Sequence, residues 1–148
     1  MNQHFLRLSN YNVWANKRVF EAMINQGSST ACWEKFSHIV LAENAWICRI
    51  GGIENAHPNI FGNLSIEILN SLIDSNIQNW NKIISETSDL DAIVHYKMLN
   101  GTKTKSVVYD ILTHIFNHGT YHRAQIATLT KQEGLEPIST DFIGFSRL

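Results

Sequence analysis

Proline is nearly missing from this chain. The 148 residues contain only 2, Pro58 and Pro137, so long helices are permitted over most of the length. Cysteine is equally scarce. The 2 present, Cys32 and Cys48, fall in one helical region, form neither a disulfide framework nor a ligand-spaced pair, and read as buried thiols of a reducing compartment. No stretch approaches the roughly 18 continuous apolar residues of a membrane span. The opening residues, Met1 to Arg7, contain no apolar signal segment. A cytoplasmic location with no membrane partner is therefore expected. Cationic excess is missing too: Lys plus Arg is 12 and Asp plus Glu 13, a net charge of −1. That balance argues against nucleic acid as a partner. The length suits one core, and 1–148 reads as a single domain.

What is present is helical periodicity. Residues 2–26 carry Phe5, Leu8, Val13, Val19, Phe20, Met23 and Ile24 at helical spacing, with Asn and Arg between them. Gly27 and the following serines end this helix. A second helix, 32–50, has few polar residues, mainly Glu34, Lys35, Glu43, Asn44 and Arg49, and so should be covered by neighbours. Gly51-Gly52 stops it. Residues 51–64 have the composition of a loop, long for a small bundle. Ser65 is placed to cap a third helix, 66–87, whose stripe is Ile66, Leu69, Ile73, Ile77, Trp80 and Ile84. The β-prone run from Ile93 to Leu99 then meets Asn100-Gly101 and Thr102 to Thr104, a hairpin signal. Ser106 is expected to cap a fourth helix, 107–133, ended by Gly134 and Pro137, with an irregular tail beyond. The fold class is all-α: a four-helix bundle with a short β-hairpin before the last helix.

Histidine is the compositional oddity, at 7 residues. His114, His118 and His122 stand four apart on the fourth helix. Imidazoles at i and i+4 project from adjacent turns and can chelate one ion. All three cannot easily do so, since His114 and His122 are about 12 Å apart in rise. The apolar seam Ile111, Ile115, His118, His122, Gln125, Leu129 puts His118 and His122 astride its centre and His114 on its shoulder. A metal needs a third ligand from elsewhere. His4, His57, His95 and His38 remain, and His38, in the covered second helix, is best placed; position alone does not choose it. Glu43 and Asp110 lie near these residues in sequence and read as solvated or supporting carboxylates. Gln125 and Tyr121 are candidates for contacts to the ligands or a substrate, although Gln125 can simply satisfy the seam and Tyr121 pack. Trp14 and Trp46 can line a pocket or fill core.

These segments resemble the DinB-like proteins, including the YfiT type, over nearly the whole chain. The first helix has Tyr11-Asn12-Val13-Trp14-Ala15-Asn16, the second His38-Ile39-Val40-Leu41-Ala42-Glu43-Asn44-Ala45-Trp46. The most specific stretch is His114-Ile115-Phe116-Asn117-His118-Gly119-Thr120-Tyr121-His122-Arg123-Ala124-Gln125-Ile126, with Gly134, Pro137 and Thr140-Asp141-Phe142 after it. The resemblance implies a bundle of atypical chain order, a homodimer, and a metal held by His38, His118 and His122. Ala124 stands where many members have glycine, and Asn44 where a charged residue is common after Glu43.

Three histidines with open coordination positions make a catalytic type of site. Zinc or nickel suits neutral imidazoles; iron or manganese is compatible. The resemblance implies a metal-dependent enzyme, a thiol S-transferase using a low-molecular-weight thiol or a hydrolase, acting on a small-molecule substrate. The resemblance leaves the reaction open. The alternative is a non-catalytic metal-binding or stress-response interaction protein, but structural zinc usually takes four protein ligands.

Overall fold

The computed structural model describes residues 2–148. Four long helices, α1 (Asn2–Gln26), α2 (Thr30–Gly51), α3 (Ile66–Glu86) and α4 (Val108–Gln132), are joined by one hairpin, β1 (Ile93–Lys97) and β2 (Lys103–Val107), between α3 and α4. The tail adds a short helix, α5 (Phe142–Phe145). This is the all-α bundle that the periodicity predicts, except that the tail is not wholly irregular. Its helix forms because Phe142 and Phe145 reach Tyr11, at 5.1 and 5.8 Å between ring centres.

The chain order explains the long loop. Asn76 of α3 donates to the Val40 carbonyl of α2. Leu69 and Ile73 pack with Phe36 and Val40, while Trp80 and Ile84 pack with Ile47. The two helices therefore run parallel. The 22 residues of α2 rise about 33 Å, and segment 52–65 must travel back that distance before α3 can begin. At about 3.3 Å per extended residue it is long enough to do so. α1 lies antiparallel to α2, and α4 runs with α1.

Two apolar clusters fill the interior. One contains Phe20, Met23, Phe36, Val40, Leu69, Ile73 and Ile126. The other holds Phe5, Ile47, Trp80, Ile84, Leu112, Ile115 and Phe116. Along α1 and α4 the residues between them are polar and buried: Asn12, Asn16 and Arg123. Glu43 joins them from α2. The α1 stripe is therefore displaced from the expected one. Val13 lies only partly inside and Ile24 is exposed, whereas the asparagines face inward because buried charges need their amides.

Capping follows expectation once and departs once. Ser65 Oγ accepts from the Ile68 N–H at 3.4 Å, as its place before α3 predicts. Ser106 does not cap α4. It is in β2 and shares a hydrogen bond with Tyr96 Oη at 3.1 Å, while Val107 precedes the helix with no side-chain cap. The helix begins one residue later than predicted because Val107 still pairs with Ile93 in the hairpin. At the hairpin tip, Met98 N–H donates to Thr102 O at 2.9 Å. Gly101, at φ +83, closes this loop in a conformation other residues rarely adopt.

Candidate metal centre

α2 and α4 are antiparallel neighbours, and their facing turns bring three imidazoles together. Nitrogen atoms of His38, His118 and His122, one from each, lie within 4.8 Å of one another. The rings pack at 4.4 to 4.9 Å between centres. All three residues are half-buried. On α4 the buried line runs through Ile111, Ile115, Gly119, Arg123 and Ile126. His118 and His122 therefore flank the buried face on its α2 side, rather than straddling its centre as the seam predicts. At Gly119 α1 comes close enough that a Cβ there would lie 2.6 Å from Asn12 Oδ1.

The hydrogen bonds select tautomers. His38 Nδ1–H donates to the Ile60 carbonyl at 2.8 Å, so its Nε2 carries a lone pair. His122 Nδ1–H donates to Gln125 Oε1 at 2.9 Å, which likewise frees Nε2. Such outer contacts orient metal-binding imidazoles. His38 Nε2 and His118 Nε2 face each other at 3.1 Å. His118 Nδ1 is buried without a partner among the described residues. Burial, then the neighbouring imidazoles, pushes the His118 pKa down to about 3. Burial also lowers that of His122. Neutral imidazoles, two of them with inward lone pairs and the third giving up a proton on binding, are a donor set a borderline-soft divalent ion takes. The cluster could hold such an ion.

The other named residues are distributed around this cluster. Phe61 stacks on His38 at 4.8 Å and 4°, yet is 68% exposed. Tyr121 meets His122 edge-on at 5.1 Å and is 63% exposed, so it is not a packing residue. His114 remains outside the cluster, against His118 at 5.4 Å. Trp14 packs on Tyr11 and Phe145 instead of the histidines. Cys32 and Cys48 are free, buried thiols with pKa values raised by burial.

Glu43 is neither solvated nor in contact with the histidines; it is 5% exposed. Asn12 Nδ2 and Asn16 Nδ2 donate to its Oε1 at 2.7 and 3.0 Å. Arg123 Nη1 donates to the Oδ1 atoms of the same asparagines, at 2.7 Å each. Both amides thus bridge a buried carboxylate and a buried guanidinium, tying α1 to the two helices that carry the histidines. Burial raises the Glu43 pKa, opposed by those amides and by Arg123. Sequence reasoning assigned no role to Asn12, Asn16 or Arg123. The available signal was Gly119 in mid-helix with Arg123 one turn on.

A cavity of about 810 Å³ lies on another flank, between α1, α4 and the tail, and touches none of the three histidines. Chemistry, not size, makes the histidine cluster the candidate site. No helix among the described residues is long and apolar enough to cross a membrane.

Over residues 1–148 the sequence matches the family profile described as DinB family. It is similar to a curated protein named Protein DinB of Bacillus subtilis (strain 168), with 22% identity over 160 residues, covering 96% of this chain and 93% of that protein.

Proposed function

The chain belongs to the DinB family, and on that premise we propose that it is a divalent-metal-dependent enzyme with His38, His118 and His122 as ligands. One observation carries the reading: three imidazole nitrogens converge within 4.8 Å, with Ile60 and Gln125 holding two rings in the ligating tautomer. Three protein ligands leave a coordination position open, as in catalytic rather than structural zinc sites. A bound ion supplies Lewis acidity there, favouring the ionised form of a water or thiol brought to it. Such chemistry suits a thiol S-transferase or a hydrolase acting on a small molecule. Zinc or nickel matches the all-imidazole set best. Phe61 and Tyr121 form an exposed aromatic rim beside the ligands, suited to an apolar part of a substrate.

The test is made on tag-free protein. The wild type retains stoichiometric metal by elemental analysis, and the metal-loaded form turns over an electrophile or ester in a screen with several low-molecular-weight thiols. His118→Ala and His122→Ala lose both properties. Full metal content in both variants would refute the ligand set. Metal in the wild type with no turnover across thiols and esters would refute the enzymatic reading.

A further inference from the structure

Helices α1 and α4 are neighbours, yet a groove stays open between them. The α4 residues that border it are short: Thr113, Asn117, Thr120, Ala124 and Ala127, spaced 4, 3, 4 and 3 along one face. A bundle seam with this spacing normally carries large apolar side chains that fill the space. These leave it empty, and the tail walls its open side. Tyr11 Oη donates to the Thr140 carbonyl at 2.8 Å, and Arg18 Nε to that of Ser139 at 3.4 Å. Both bonds fix the segment from Pro137 to Phe142 along the rim. The result is the cavity of about 810 Å³, inside the range of roughly 300–1,000 Å³ typical of small-molecule sites. Phe5, Tyr11, Tyr109, Phe116 and Phe142 present aromatic rings to it.

Arg123 brings an unused donor to this apolar space. The residue is 3% exposed and still borders the cavity. Its Nη1 is turned inward, donating to Asn12 and Asn16. In a planar guanidinium the Nε–H and one Nη2–H form a fork that points the opposite way from Nη1. On that side Nη2 donates to Thr120 Oγ1, in the cavity wall, at 3.1 Å. Nε has no hydrogen-bond partner among the described residues. A buried donor without an acceptor is costly, so an oxygen that reaches it is favoured. Negative charge is not what the fork lacks. Glu43, reached through the two asparagine amides, already faces the guanidinium, and Asp141 stands in the cavity rim.

We propose that this cavity is a second binding site, for a small, flat, apolar molecule carrying one uncharged acceptor oxygen, such as an aryl ketone or amide. The aromatic rings cover its body and Arg123 Nε–H donates to its oxygen. None of the three histidines borders the cavity, so the site stands apart from the metal-centre reading. The concave wall that the tail builds suits a small molecule better than the surface of a second copy of this chain.

The experiment uses the full-length protein and three dimethylaminonaphthalene dyes: one with a propionyl group, one with a carboxylate and one with neither. Fluorescence titration reads binding. The ketone is expected to bind about tenfold tighter than the unsubstituted ring, the effect of one hydrogen bond from a charged donor, and at least as tightly as the carboxylate. Arg123→Lys keeps the charge without the fork and removes the ketone's advantage. Ala124→Phe, at an exposed wall position, fills the space beside the fork and weakens ketone binding about tenfold or more, with the circular dichroism spectrum unchanged. It keeps the proposal refutable if Arg123→Lys does not fold. Equal binding of ketone and unsubstituted ring overturns the site, as does tighter binding of the carboxylate. So does an Ala124→Phe variant that binds the ketone like wild type, or an Arg123→Lys variant that keeps the preference. Wild type that binds no dye and sediments as a dimer that Ala124→Phe splits assigns the groove to a second copy and overturns the small-molecule site.

Discussion

Replacing Gly119 by alanine tests whether α1 is clipped to the histidine-bearing helices as closely as the geometry states. A Cβ at this position would lie 2.6 Å from Asn12 Oδ1 and 2.9 Å from Arg123 Nη1. An unhindered glycine-to-alanine change inside a helix gains about 1 kcal/mol. Here the new methyl must displace two atoms that hydrogen-bond each other at 2.7 Å. Losing a hydrogen bond to a buried charged group costs about 1.5–3 kcal/mol, and overpacking adds about 1–3 kcal/mol. Subtracting the propensity gain, the net expectation is a loss of about 1.5–5 kcal/mol, or very roughly 5–15 °C in melting temperature for a chain of this size. Thermal unfolding by circular dichroism and urea titration both read it. Gly51→Ala is the control, since a Cβ there meets only Ile53 at 3.7 Å or beyond. In an Asn12→Ala background the Gly119→Ala penalty should shrink, because the nearest obstructing atom is gone. A Gly119→Ala variant as stable as the wild type would refute the argument.

Two further outcomes follow from the same geometry. Gln125→Leu leaves the His122 tautomer unselected and should lower metal affinity about 10–100-fold with the helical spectrum unchanged; competition with a chromophoric chelator measures it, and equal affinity would show that the Gln125 contact is idle. In metal-free protein, His118 titrates near 3 when folded against about 6.5 when unfolded. The unfolded state then binds the proton first as pH falls, so the stability that His118 contributes is full above about 6.5 and drains away towards about 3, at up to about 1.4 kcal/mol per pH unit. Glu43, with its pKa raised by burial, acts in the opposite sense. The difference between wild type and His118→Asn in urea titrations across pH isolates the histidine, and identical slopes would contradict its burial as an uncharged ring.

The helices were legible because each presents a long apolar stripe and ends at a recognisable stop. α1 and α3 begin and end within a residue of where periodicity places them. α2 starts two positions before expectation, at Thr30, because Glu133 at the far end of α4 accepts from the Ser29 N–H at 3.3 Å and satisfies that end of the helix. A partner so distant in sequence leaves no local mark. The histidines were legible for a different reason: i, i+4 spacing is a property of one helix. His38 came from family resemblance, since no pattern within α2 points across to α4. The buried polar layer was misread because a stripe drawn from apolar residues treats Asn12 and Asn16 as spacers. Their inward facing depends on Glu43 and Arg123, each on a different helix, and pairwise chemistry between helices has no period.

The return segment between α2 and α3 does more than connect them. Ile60 sets the tautomer of His38 and Phe61 covers its ring, while Asn44–Asn55 and Ser37–Leu64 hydrogen bonds fasten the segment to α2. Whatever free energy an ion gains from a correctly turned His38 is therefore shared with the ordering of this segment, and linkage makes the sharing mutual. Filling the centre should slow amide exchange and proteolytic cleavage around Ile60, and loosening residues 52–65 should weaken the ion's hold from outside the ligand set. A crossover imposed by chain order thereby becomes a reporter of whether the centre is filled.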